Sequence, residues 1–151
     1  MFNSKHKQQG LAAIEMTLVL PILLLLLFAT AEFSRLLYQY NALTKVVRGA
    51  ARYIIANPEF NSTNEVIVSS QTKSVAKYLL VYGDLGEESP TPILPNLAAT
   101  TFDIAISGEF ITVTASYPWQ PIFADTLPSF VNGSSFDLSF DLVTTHTVRA
   151  L

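Results

Sequence analysis

The stretch from Leu11 to Ala31 constrains this chain more than any other part of it. It reads LAAIEMTLVLPILLLLLFATA, apolar but for one acid, Glu15, two threonines and a proline. As a helix, about 21 residues at ~1.5 Å each reach about 31 Å, the thickness of a bilayer's hydrocarbon core. The chain is therefore expected to enter a membrane. Glu15 is the anomaly. A carboxylate costs about 2.5–3.5 kcal/mol at the centre of a span and less near an end, and by default it marks function.

The flanks set an orientation. Lys5 and Lys7 precede the run, no acid stands among the first ten residues, and Glu32 follows directly. The positive-inside rule places the N-terminus in the cytoplasm and residues 32–151 across the membrane. The rest of the composition mainly excludes. The net charge of −3, from 9 Lys+Arg against 12 Asp+Glu, leaves no basic footprint for nucleic acid. With no cysteine, folding rests on packing without disulfides or a thiolate metal site.

A basic start before an apolar core has three readings. Ala29-Thr30-Ala31 is an A-x-A signal-peptidase site, which would release a secreted domain. A plain anchor explains the span but not Glu15. The third reading begins at Gly10, where a short polar leader, Lys-Gln-Gln-Gly, ends and Glu15 stands as the fifth residue beyond. This G-xxxx-E arrangement, with Leu20-Pro21, then Glu32-Phe33-Ser34-Arg35, then Val47-Arg48-Gly49-Ala50-Ala51-Arg52-Tyr53, resembles the TadE family. These are minor pilin-like components of tight-adherence (Flp-type) pilus machinery. The resemblance covers about residues 8–53. Met16 follows the glutamate where Flp-type major pilins usually carry Tyr, and the region beyond residue 57 is long for a major pilin.

The resemblance implies cleavage between Gly10 and Leu11 by a prepilin peptidase, with residues 1–10 as the leader. It implies that Glu15 meets the new amine of a neighbouring subunit and sets axial register, and that Pro21 kinks the helix. The implied partners are the membrane, other pilin or pilin-like subunits and the pilus assembly platform. The implied location is the bacterial inner membrane, single-pass, with the C-terminal domain periplasmic or, in an assembled pilus, extracellular.

Helical periodicity continues past Ala31. Phe33, Leu36, Leu37, Tyr40, Leu43, Val47, Ala50, Ala51 and Ile54 recur at three- and four-residue steps, while Arg35, Gln39, Lys45, Arg48 and Arg52 fall mostly elsewhere. The pattern predicts one helix from about 11 to 56, in which 32–56 is amphipathic and ends at Asn57-Pro58. Arg35, Arg48 and Arg52 are candidate interface residues toward anionic lipid or an acidic subunit.

Residues 57–151 read as an exposed α+β domain. Asn64 is placed to cap a second helix from about Glu65 to Tyr82, ended by Gly83, although Val66-Ile67-Val68 also suits a strand. Residues 83–99 read as a loop. Phe102, Ile104 and Ile106, then Ile111, Val113, Ala115 and Tyr117, alternate around Gly108-Glu109, which predicts a hairpin with a type II′ turn. Pro118, Pro121 and Pro128 mark a loop carrying Trp119, a candidate docking aromatic. A third strand runs from Phe136 to about Arg149. Helices first and strands after make the class α+β: a long N-terminal helix, a second helix and a small antiparallel sheet of about three strands.

Chemistry-bearing patterns are sparse. His6 and His146 stand alone, the glycines form no phosphate loop, and Asp137 with Asp141 offers at most a weak cation contact. The sequence reads as non-enzymatic, with no cofactor, metal or small-molecule substrate. Its expected role is structural, in pilus assembly, surface attachment or filament initiation. The alternative is a signal-peptide-bearing secreted or membrane-tethered binding domain.

Overall fold

The computed structural model describes residues 4–63, 65–86, 90–123, 125–128, 133 and 135–150, without the side chains of 4–9, 127, 128 and 136. The chain divides into two compact units, one ending at Arg35 and one beginning at Leu36. Helix α1 (Ser4–Ala56) contributes to both.

In the first unit every described side chain from Gly10 to Ala31 is exposed. The hydroxyls of Thr17, Thr30 and Ser34 are satisfied within the helix. Thr17 Oγ1 donates to the Ala13 carbonyl, Thr30 Oγ1 to Leu27 and Ser34 Oγ to Thr30, at 2.8–2.9 Å. Pro21 stands inside α1 and cannot donate to the Thr17 carbonyl.

The second unit packs the C-terminal half of α1 into its core. The buried arc is Gln39, Leu43, Val46, Val47, Ala50, Ala51 and Ile54. This corrects the sequence reading at its N-terminal end. Phe33, Leu37 and Tyr40 are exposed, and Gln39, assigned to the polar side, is 3% exposed. At ~100° per residue Tyr40 falls between Val47 and Ala51 and Phe33 in line with Ala51, so helical periodicity by itself does not separate the covered residues from the exposed ones.

After α1 comes a two-residue ladder, β1 (Glu59–Phe60) with β2 (Val66–Ile67), Phe60 opposite Val66. Helix α2 (Ser70–Tyr82) thus begins later than the periodicity implies, and its cap is Ser69, whose side chain accepts from the Thr72 N–H. The β-branched pair Val66-Ile67 goes to the ladder; Asn64 lies outside the described residues. Gly83 ends α2 as expected, at φ +79° with its N–H bonded to the Leu79 carbonyl. The loop that follows contains a 3₁₀ turn, Leu97–Ala99, and Leu94 and Leu97 are buried in the core.

The main sheet is antiparallel, ordered β3 (Thr101–Ser107), β4 (Phe110–Trp119), β7 (Phe140–Arg149). The expected hairpin forms, with Ser107 opposite Phe110. Gly108 has φ +58° while Glu109 is not in the positive region, the signs a type II′ turn requires. Ile111, Val113, Ala115, Tyr117 and Trp119 face the core.

Two strand boundaries differ from the sequence reading. Strand β4 runs through Pro118 to Trp119 instead of ending before them. Pro118 is tolerated because β3 pairs with β4 only up to Thr101–Ser116, so a missing N–H on that side breaks no ladder bond. The expected third strand is two strands, β6 (Ser135–Asp137) and β7, and β6 pairs with a further strand, β5 (Thr126–Pro128), where a loop was expected. The break falls at Leu138-Ser139, where Asp137 Oδ1 accepts from both the N–H and the hydroxyl of Ser139. This local turn competes with strand continuation.

Candidate functional site

The sequence points first to the head of α1. Gly10 lies within the helix, exposed, and a Cβ added there would meet nothing within 4 Å. Packing does not demand glycine, and in an exposed helix interior it costs about 0.5–1 kcal/mol relative to alanine. Leu11, Ile14 and Met16 beside it are exposed apolar side chains. Glu15 is also exposed and has no ion-pair partner among the described residues. Leu11 and Glu15 stand four residues apart, on one face.

Among the described residues one helix, from Gly10 onward, is long and apolar enough to cross a membrane, and none of its apolar window is buried by the chain itself. An uncovered apolar surface of this extent is that of a membrane anchor.

The candidate interface residues separate. Arg35 is half-buried and bridges to Glu32, Nη1 to Oε1 3.0 Å, one turn back along α1. Arg48 and Arg52 are exposed and, with Lys45, follow one face of α1 with no ion pair among the described residues. Trp119 is 4% exposed and its ring tilts against Phe140 at 5.0 Å between centroids. It is a core residue, while Phe140 beside it is exposed.

The remaining polar groups are structural. Glu59 accepts from the hydroxyls of Ser69 and Thr72 and joins the β1–β2 ladder to the cap of α2. The Thr72 bond, then the Ser69 bond, holds its carboxyl below the ordinary value. Asn61 accepts from the N–H groups of Thr63 and Glu65. In return Asn61 and Thr63 donate to Glu65, whose pKa is lowered by those bonds. Asp137, on β6, is lowered by its Ser139 bonds, while Asp141, on β7, accepts from Ser116. The two acids stand on different strands, and among the described residues no cluster of three or more ligating side chains occurs. A pocket of about 380 Å³ lies between α2 and β3; its charged members, Lys73, Lys77 and Asp103, are all exposed. It presents no buried acid–base pair of the sort catalysis uses.

Comparison with known families places the anchor. The family model described as TadE-like protein matches residues 10–52. This segment is TadE-like. The match begins at Gly10 and ends at Arg52, so it takes in Glu15, Pro21, Arg35, Arg48 and the helical part of the buried arc up to Ala51. No curated protein and no solved structure matches the chain. Sequence reasoning missed the Glu59–Ser69–Thr72 junction, because its members share no periodic position.

Proposed function

We infer that this chain is a minor pilin-like subunit of a tight-adherence pilus system, cut by a prepilin peptidase between Gly10 and Leu11. The observation that carries this reading is Gly10-xxxx-Glu15 at the head of an apolar helix that the fold leaves uncovered, at the start of the TadE-like segment.

The physics of the cut accounts for Glu15. Removing the leader creates an α-amino group on Leu11, with a pKa of about 7.7–8.0 in water. This cation and the Glu15 carboxylate are both costly in or beside hydrocarbon, and pairing lowers the cost. Within one helix the two share a face; between subunits the carboxylate of one meets the amine of the next and sets register. Pro21 bends the helix where a neighbour accommodates it. Before assembly the subunit is held in the bacterial inner membrane, leader cytoplasmic and the Leu36–Arg149 part periplasmic, with other pilin-like subunits and the assembly platform as partners. Lys45, Arg48 and Arg52 offer a charged face to an acidic subunit.

Intact mass and N-terminal sequencing of native protein test the reading. The mature chain is expected to begin at Leu11. A start at Glu32 would establish signal-peptidase cleavage after Ala31 and overturn it; so would an intact Met1. Gly10→Ala should leave a membrane-bound precursor. Glu15→Ala should insert normally but enter assemblies poorly, and equal incorporation would remove the register role.

A further inference from the structure

Strand β7 is the open edge of the main sheet. The Ala150 N–H donates to the Glu109 carbonyl at 2.8 Å, just beyond the Phe110–Arg149 pair. In an antiparallel ladder, hydrogen-bonded positions alternate. Even-numbered residues of β7 therefore bond to β4, and Asp141, Val143, Thr145, Thr147 and Arg149 turn their backbone groups outward. Among the described residues no strand pairs with that side. Natural edges are usually blunted by proline, lysine, a bulge or an inward charge. From Leu142 to Val148, LVTTHTV, β7 has none of these.

We propose that the occupant of this edge is the β7 of a second copy, paired antiparallel about a two-fold axis through Thr145. Such an axis, perpendicular to the sheet, keeps like faces together. In this register Thr145 opposes itself and Val143 opposes Thr147. Asp141 opposes Arg149 of the second copy, and the charge pair occurs twice. On the core side Leu142 opposes Val148. Sliding by two residues in either direction loses both charge pairs. All five outward positions become hydrogen-bonded pairs, giving about ten inter-strand bonds. The charged groups retain capacity for this. Arg149 spends Nε and Nη2 on Glu109, leaving Nη1, and Asp141 accepts from Ser116 through Oδ2, leaving Oδ1. The threonine pairs Thr112–Thr147 and Thr114–Thr145, at 3.0 and 3.2 Å, then continue across the junction of a six-stranded sheet.

The inference draws on the sheet alone, so its fate is independent of processing at Gly10. The full chain in mild detergent tests it, and with no native cysteine a single introduced thiol reads cleanly. Thr145→Cys should give a disulfide-linked dimer on mild oxidation. Val143→Cys alone should not, yet should cross-link when mixed with Thr147→Cys. Asp141→Arg and Arg149→Asp should each lower the dimer fraction about tenfold, and mixing the two variants should restore it, because each then supplies what the other lacks. Thermal melts confirm that both variants fold. The proposal is overturned by monomers at every position, by a dimer indifferent to Asp141→Arg, by Val143→Cys linking as well as Thr145→Cys, or by Thr145→Cys linking only to another protein.

Discussion

At the scale of single residues, Glu59 is the clearest case of a side chain whose role only its neighbours define. Its carboxyl is held below the ordinary value of 4.5, first by Thr72 and then by Ser69. A depressed folded pKa means the unfolded chain binds more protons at acid pH. The stability is therefore present above about pH 4.5 and fades as the pH falls through the lowered value. Glu65 and Asp137 act in the same direction. Glu59→Gln should flatten the acid side of the stability profile: its melting temperature should change less than that of the native chain between about pH 6 and about pH 3. A parallel loss in both would dismiss the carboxylate's role. None of this was legible beforehand, since an isolated glutamate in a turn-rich stretch gives no sign of which hydroxyls it meets. Gln39 escaped for the related reason that polarity argued for exposure.

Elements were legible where local chemistry and tertiary demand agreed. Gly83 ended α2 as expected because the left-handed cap favours glycine, and Gly108 opened the predicted turn. The start of α2 was misplaced because Val66-Ile67 carries equal weight as strand and helix, and a partner, Glu59-Phe60, decided it. Pro118 misled because a proline breaks a ladder only where a neighbouring strand waits for its N–H. Gly83, the cap of α2, and Gly49, inside α1, respond oppositely to alanine. At Gly83, φ +79° and a Cβ that would collide with Ile93 Cδ1 make Gly83→Ala destabilising by roughly 1–2 kcal/mol. Gly49 sits exposed inside α1 with open space around it, so Gly49→Ala should stabilise the isolated chain by about 0.5–1 kcal/mol. Denaturant unfolding of both variants checks the signs.

For the molecule as a whole, the consequential fact is that the core borrows from α1. Every residue of the hydrophobic cluster lies at or beyond Leu36. A fragment of residues 36–151 should therefore be soluble and unfold cooperatively. A fragment of 57–151 loses Leu43, Val46, Val47 and Ile54, at about 1.5–3 kcal/mol for each large side chain. That loss is comparable to the whole stability of a small domain, about 5–15 kcal/mol, so this fragment should not fold. Circular dichroism melts distinguish the two, and a cooperative transition in the shorter one would show that α1 is dispensable.

The amino-acid order alone determined the anchor, the Gly10–Glu15 spacing, the α+β class and the alternation of β3 and β4. These depend on runs and periods that a chain carries without folding, and burial against lipid or a single core face follows from them. The tertiary structure decided the rest: which arc of α1 is covered, that Trp119 is core and not surface, that the last strand breaks at Ser139, and that β7 is left with an open edge. Each depends on which groups meet across distant parts of the chain, and no local pattern encodes the partner of an edge, a hydroxyl or a ring.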